Sequence, residues 1–196
     1  MTPFTGEDDG LISLAKQGDK RALEQLLREI QPHVYGVCRR ITTNDADALD
    51  ATQNALISIV RAISDFDGRS KFSSWCYRIA TNSALDELRR QKRHRSPVSI
   101  DSTEYVGEPA DHHATDAFGQ VEDRYEIDLA LGELSGDFRA AVVLRDLCQL
   151  DYNEIAEVLE IAPGTVRSRI ARARAQLAEK LSGNQPGTSQ RPTSAS

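Results

Sequence analysis

The sequence predicts an all-α chain of two small helical domains, residues 1–93 and 121–182, joined by a flexible acidic linker over 94–120 and followed by a disordered tail over 183–196. Three observations carry that expectation. Apolar residues recur at helical spacing through most of 8–181. No sustained period-two alternation appears in the same span, and the short VVL run at 142–144 lies inside a helix-period segment. Between His94 and Gly119 the periodicity gives way to Pro, Gly, Ser and acidic residues, the composition of a linker.

The 196 residues, 39% of them hydrophobic, are enough for one domain or two small cores. No apolar run approaches membrane-spanning length, so no membrane contact is expected. The N-terminus MTPFTGEDDG is acidic and lacks the basic and apolar regions of a secretory signal, which points to the cytoplasm. Cys38, Cys76 and Cys148 are odd in number and embedded in apolar helical patterns, so buried thiols are expected rather than a disulfide or metal site. A redox role for them stays open. His112 and His113 are adjacent rather than at ligand spacing, so no zinc and no cofactor are implied.

In order along the chain, Leu11, Ile12, Leu14 and Ala15 mark a first helix. After a Gly-Asp break, Ala22, Leu23, Leu26, Leu27 and Ile30 mark a second. Pro32 is read as the start of a third, with Val34, Val37, Cys38 and Ile41 inward and Thr42 to Asn44 ending it and capping the next. The fourth opens with Asp45, Asp47 and Asp50, favourable at the positive end of a helix dipole, and is expected to turn Leu49, Leu56, Ile59, Val60 and Ile63 inward. The loop SDFDGRSK over 64–71 leads to a fifth helix from about Phe72 to Arg93, with Phe72, Trp75 and Ile79 on one side and Trp75 read as core packing. Past the linker, Val121, Tyr125, Leu129 and Leu131 mark one helix, and Phe138, Val142, Val143, Leu147 and Leu150 another.

The segment DYNEIAEVLEIAPGTVRSRIARARAQLAEKL, over 151–181, joins two helix-period stretches across a tight turn and reads as a helix-turn-helix. Val166, Ile170, Ala173 and Leu177 recur at spacings of four, three and four and face inward. The other side carries Thr165, Arg167, Ser168, Arg169, Ala171 and Arg172, short and cationic side chains suited to base edges and phosphates. From Pro163 to Leu181 there are five Lys or Arg against one Glu, in a chain of formal net charge -6. A second basic cluster holds five Lys or Arg in the seven positions 89–95, whereas 101–128 holds nine acids and only Arg124 of opposite sign. Such segregation concentrates the positive charge that phosphate contacts need.

With the order DADALDATQNALISIVRAISDFD, FSSWCYRIATNSALDELRRQKR and APGTVRSRIARARAQL in hand, the chain resembles the bacterial sigma factors. Within the sigma-70 family it is similar to the extracytoplasmic-function group, which keeps only regions 2 and 4. The resemblance implies a non-catalytic transcription initiation factor that binds core RNA polymerase and reads promoter DNA. By this resemblance Asp47, Asp50, Gln53 and Asn54 dock on the β′ clamp helices, while the scaffold of the helix-turn-helix docks on the β flap. Two departures are Asn54, where an acidic residue commonly follows the Gln, and Ala51, where Leu is common. The loop from Asp65 and Phe66 to Lys71, together with Asn82, matches the element that captures an unstacked base of the melted -10 strand, an amide offering both donor and acceptor to a base edge. Arg78, Arg89, Arg90, Lys92 and Arg93 would hold its backbone. Thr165, Arg167, Ser168, Arg169, Ala171 and Arg172 fall on the surface that reads the -35 duplex. Glu160 takes a turn position where Gly is frequent, and a larger residue is accommodated there where it avoids φ > 0. Members of the group are often held by an anti-sigma factor. Two rivals remain on the sequence alone: a free-standing helix-turn-helix regulator, which leaves the second basic surface without a role, and a DNA-processing enzyme, which lacks a clear nucleophile or metal-binding carboxylate pair.

Overall fold

Pro32 does not begin a helix; it lies inside one. The computed structural model describes residues 8–95 and 127–183, and its helices are α1 (Asp9–Lys16), α2 (Lys20–Thr42), α3 (Asp45–Ala62), α4 (Phe72–Arg95), α5 (residues 127–133), α6 (Gly136–Val142), α7 (Tyr152–Leu159) and α8 (Pro163–Gly183). The expected second and third helices are thus one, α2. Its buried stripe of Ala22, Leu26, Ile30, Val34, Val37, Cys38 and Ile41 runs without interruption past the proline. Pro32 itself is exposed, so the Arg28 carbonyl that loses its donor faces water, and continuous packing outweighs the missing bond.

Side-chain caps set the helix starts. The Asp8 carboxylate accepts the Gly10 and Leu11 N–H groups at 2.9 and 3.1 Å, Asp19 accepts Ala22 N–H at 2.9 Å, and Asn44 accepts Asp47 N–H at 2.9 Å. Gly18, at φ 90°, makes the break between α1 and α2 that a residue with a Cβ would strain. No strand occurs among the described residues. The expected linker and tail lie almost wholly outside them, as do Val121, Tyr125, His112 and His113.

Helices α1 to α4 form the N-terminal bundle. Ala48, Ala51 and Ala55 are buried, and their small side chains let α3 approach α2 and α4 closely, so Ala51 is a packing residue. Leu49 and Val60, expected inside, are instead 60% and 40% exposed. The alanine stripe forms the inner face and rotates both onto the outer one. Phe66, Phe72 and Trp75 close the bottom of the bundle, with ring centroids 5.3 to 5.6 Å apart.

In the C-terminal half, Val143–Leu147 forms a π-helical turn that continues α6, so the VVL run is helical as expected. Leu129 faces out, while Leu131 and Leu134 pack on Val142 and Ala173. Buried residues of both halves belong to one contiguous cluster, in which Ala140, Val143, Leu144 and Ile155 join the N-terminal core. Arg139 fastens the junction. Its Nη1 donates to the Ile41 carbonyl of α2 at 2.5 Å, and Nη2 donates to the Gly132 and Leu134 carbonyls at 2.8 Å each. Desolvation of this buried guanidinium lowers its pKa from the usual arginine value.

Candidate nucleic-acid interface

Helix α8 owes its orientation to its apolar side. Val166, Ile170 and Ala173 are buried and Leu177 is half-buried, which fixes the opposite side outward. Thr165, Arg167, Ser168, Ala171 and Arg172 stand there exposed, as the spacing predicts. Ser168 Oγ donates to the Thr165 carbonyl at 2.9 Å, and the Arg167 guanidinium lies 5.6 Å from the Tyr152 ring centroid. Arg169 is the exception: half-buried, it pairs with Asp137 at 3.1 Å.

The turn leading to α8 is held by α7. Asp151 accepts the N–H groups of Asn153 and Glu154 at 2.7 and 2.9 Å, and Glu154 Oε2 accepts Asp151 N–H at 2.8 Å, a reciprocal capping box. Those N–H donors hold the Asp151 carboxyl below the usual carboxylate range. Glu160 ends α7 at φ 54°, ψ 43°, in the left-handed region. It therefore has a positive φ, the condition under which a residue larger than Gly is strained at this position. The Schellman-type bond from Ile161 N–H to the Ala156 carbonyl, 3.0 Å, requires the chain to reverse there.

The N-terminal bundle places its predicted contact residues unevenly. Arg78, Asn82, Arg89, Arg90, Lys92 and Arg93 of α4 are exposed, as are Asp65 and Lys71. Arg89 pairs with Asp86 at 2.7 Å, and Arg90 pairs with Glu87 at 2.7 Å and with Asp50 at 3.5 Å. Phe66 is buried in the aromatic cluster, where it anchors the loop rather than presenting its ring.

The acidic start of α3 divides in the same way. Asp45 accepts from Arg39 Nε at 2.6 Å and from the Tyr35 hydroxyl at 3.2 Å. Asp47 is buried and accepts from Asn44 and Gln91. These two acids tie α3 to α2 and α4 instead of facing outward, because the helix start abuts both neighbours. Asp50, Gln53 and Asn54 remain exposed on one side, beside Leu49, Ile57 and Val60. The apolar part of this surface escapes sequence reading, since Leu and Val at helical spacing normally face a core; the adjacent run of alanines was the available signal.

All three thiols are buried. Desolvation pushes Cys38 up to about 11 and Cys148 up to about 12, and raises Cys76 as well. None is poised as a reactive thiolate, which decides against thiol sensing in this conformation. Among the described residues no cluster of three or more His, Cys, Asp or Glu is placed to hold a metal, and no helix is long and apolar enough to cross a membrane.

Comparison with known proteins agrees with this geometry. Residues 26–94 match the family model for sigma-70 region 2, and residues 124–177 match that for sigma-70 region 4. The chain is 33% identical over 183 residues to the RNA polymerase sigma-H factor of Pseudomonas aeruginosa, covering 89% of this chain and 94% of that one. It is 35% identical over 174 residues to the ECF sigma factor SigM of Mycobacterium tuberculosis, covering 89% and 84%. To the ECF sigma-E factor of Escherichia coli it is 31% identical over 185 residues, covering 89% and 94%. Among solved structures, it resembles the sigma factor RpoE in complex with the anti-sigma factor NepR from Bartonella quintana, at TM-score 0.63 and 25% identity, over 83% of this chain and 98% of that one. The fold also matches CnrH in its complex with the cytosolic domain of CnrY, at TM-score 0.67 and 24% identity, over 90% and 98%. With a region 2 bundle, a region 4 helix-turn-helix and full-length relatives of this kind, the chain belongs to the extracytoplasmic-function group of the sigma-70 family and is a transcription initiation factor that directs core RNA polymerase to promoter DNA.

Proposed function

We propose a division of that activity among the surfaces described above. Region 2, residues 1–93, docks on the β′ clamp helices through the outer side of α3, where Asp50, Gln53 and Asn54 lie beside Leu49, Ile57 and Val60. An apolar stripe rimmed by polar and acidic groups suits a helical partner carrying basic residues. Asp47 supports this surface from inside by fixing the start of α3. The exposed side of α4, with Lys71, Arg78, Asn82, Arg89, Arg90, Lys92 and Arg93, holds the melted -10 strand, and Asn82 reads a base lifted from the stack. Asp65 and the anchored Phe66 shape the loop beside it.

Region 4, residues 121–182, reads the -35 duplex through α8 while its scaffold helices dock on the β flap. The acidic linker threads toward the RNA exit path. The protein works in the cytoplasm, without catalytic chemistry of its own, and an anti-sigma factor holds it by covering polymerase-binding surfaces, as NepR and CnrY accompany the two structural neighbours.

The observation that carries this reading is the two-sided geometry of α8: Val166, Ile170 and Ala173 buried, Thr165, Arg167, Ser168, Ala171 and Arg172 exposed on the opposite side. The test is transcription with purified core polymerase on promoters of a candidate regulon. Specific initiation that depends on the chain is the expected result. Its absence, with core shown to be active with another sigma factor, would sink the reading in favour of a free-standing regulator.

A further inference from the structure

The four arginines of α8 are not equivalent. Arg169 is bound to Asp137 at 3.1 Å, in a cavity of about 460 Å³ that Glu160 also lines, and Arg174 is bound to Asp146. Both of those charges are answered within the fold. Arg172 is exposed and pairs with no carboxylate among the described residues. Arg167 is exposed and pairs with none among them either, but it has a different neighbour: its guanidinium carbon lies over the ring of Tyr152, 5.6 Å from the centroid. Its charge stays free while its plane is held.

Tyr152 is itself firmly placed. It is the first residue of α7, directly after Asp151, whose reciprocal bonds with Glu154 fix the start of that helix. Its half-buried ring packs against the hydrophobic core. A second guanidinium, that of Arg145, lies over the same ring at 5.0 Å, and its Nη1 donates to the Leu150 carbonyl at 2.7 Å. Arg145 is thus tethered to the backbone, and its positive charge discourages Arg167 from folding back toward the π-helical turn. The ring attracts both cations through its quadrupole. The contacts run from the Leu150 carbonyl through Arg145 and Tyr152 to Arg167, from the core to the exposed side of α8.

An exposed arginine is long and flexible, and it must give up rotamer freedom to make two parallel hydrogen bonds. In the major groove a guanine offers two acceptors, O6 and N7, that match the fork of a guanidinium. A guanidinium stacked before DNA arrives has already lost part of that freedom. We propose that Tyr152 is a positioning residue for the -35 element: it holds the Arg167 guanidinium ready for the O6 and N7 of one guanine, with Arg145 bracing the ring from its tether on Leu150. The proposal rests on the assignment of α8 as the -35 reader, and it gives Tyr152 no contact with the base. A cation stacked on a ring at an exposed site corresponds to about two- to fivefold in an equilibrium, so the effect of losing it is of that size and confined to one base pair.

The test is selection of bound sequences from a pool randomised over the -35 hexamer of a candidate-regulon promoter, using holoenzyme reconstituted with the full chain. The proteins compared are the wild type, Tyr152→Phe, Tyr152→Leu, Arg167→Ala, and Tyr152→Leu combined with Arg167→Ala. Tyr152→Met, which keeps apolar bulk without a ring, stands in if Tyr152→Leu folds poorly. The wild type is expected to prefer G·C at one position and Arg167→Ala to lose that preference. Tyr152→Leu should weaken it about two- to fivefold and leave the other positions unchanged. Tyr152→Phe keeps the ring and should match the wild type. In the Arg167→Ala background Tyr152→Leu should change nothing further, because the ring has no guanidinium left to hold. A Tyr152→Phe variant that weakens binding evenly across all sequences, with a shallower salt dependence, would make the hydroxyl a phosphate contact and overturn the proposal. So would an unchanged profile in Tyr152→Leu, or a further loss when it is added to Arg167→Ala. A wild-type holoenzyme that initiates yet shows no preference within the hexamer removes the α8 reading and the proposal with it, whereas a wild-type preference that survives in Tyr152→Leu removes the proposal alone.

Discussion

Replacing Glu160 by Gly should stabilise the protein, even though it deletes a side chain and adds none. Glu160 lies at φ 54°, ψ 43°, exposed at the end of α7. A residue with a Cβ in that region costs roughly 1–2 kcal/mol, because Cβ crowds the following carbonyl. Glycine removes the strain but returns about 0.4–1 kcal/mol through the greater freedom of the unfolded chain. The net is a gain of about 0.5–1 kcal/mol. For a chain of this size, about 2–4 °C per kcal/mol, that is a rise in Tm of about 1–4 °C. Differential scanning calorimetry and urea unfolding read it directly. Glu160→Ala is the control, since it removes the same carboxylate and keeps the Cβ, and its Tm should stay at or below that of the wild type. If Ala stabilises as much as Gly, the effect comes from charge in the cavity beside Asp137, and the backbone argument fails.

Four further outcomes follow from particular residues. Arg172→Ala should weaken -35 duplex binding by the holoenzyme and reduce the slope of log affinity against log salt by about one, while Asn82→Ala should alter base preference at a single -10 position; unchanged preference there would remove Asn82 from the site. Arg139→Met leaves the Ile41, Gly132 and Leu134 carbonyls without their donor and should cost about 3–5 kcal/mol by denaturant unfolding; a loss under 1 kcal/mol would mean that water replaces the guanidinium freely. The thiols should resist alkylation at neutral pH in the native state and react fully in denaturant, since burial keeps Cys38 and Cys148 protonated well above pH 8; rapid native labelling of any of the three would reopen a redox role.

What the sequence determined by itself was whatever periodicity and local chemistry encode. The inward side of α8 and its exposed contact set are set by the spacing of Val166, Ile170 and Ala173, and the starts of α3 and α7 by the capping chemistry of Asn44 and Asp151. The all-α class and the burial of the cysteines were legible for the same reason. Tertiary structure decided the rest, wherever a residue has two locally acceptable roles and a distant neighbour chooses between them. Pro32 suits both a helix start and an exposed interior position, and the stripe from Ala22 to Ile41 selected the second. Asp47 suits a docking surface until Gln91, 44 residues away, takes its carboxylate inside. Leu49 and Val60 are apolar, yet Ala48, Ala51 and Ala55 claim the inner face because only small residues let three helices meet so closely. Arg139 had no local signature at all. Its role exists only because folding brings the end of α2 to the start of α6, and there a buried cation satisfies three carbonyls from both halves of the chain.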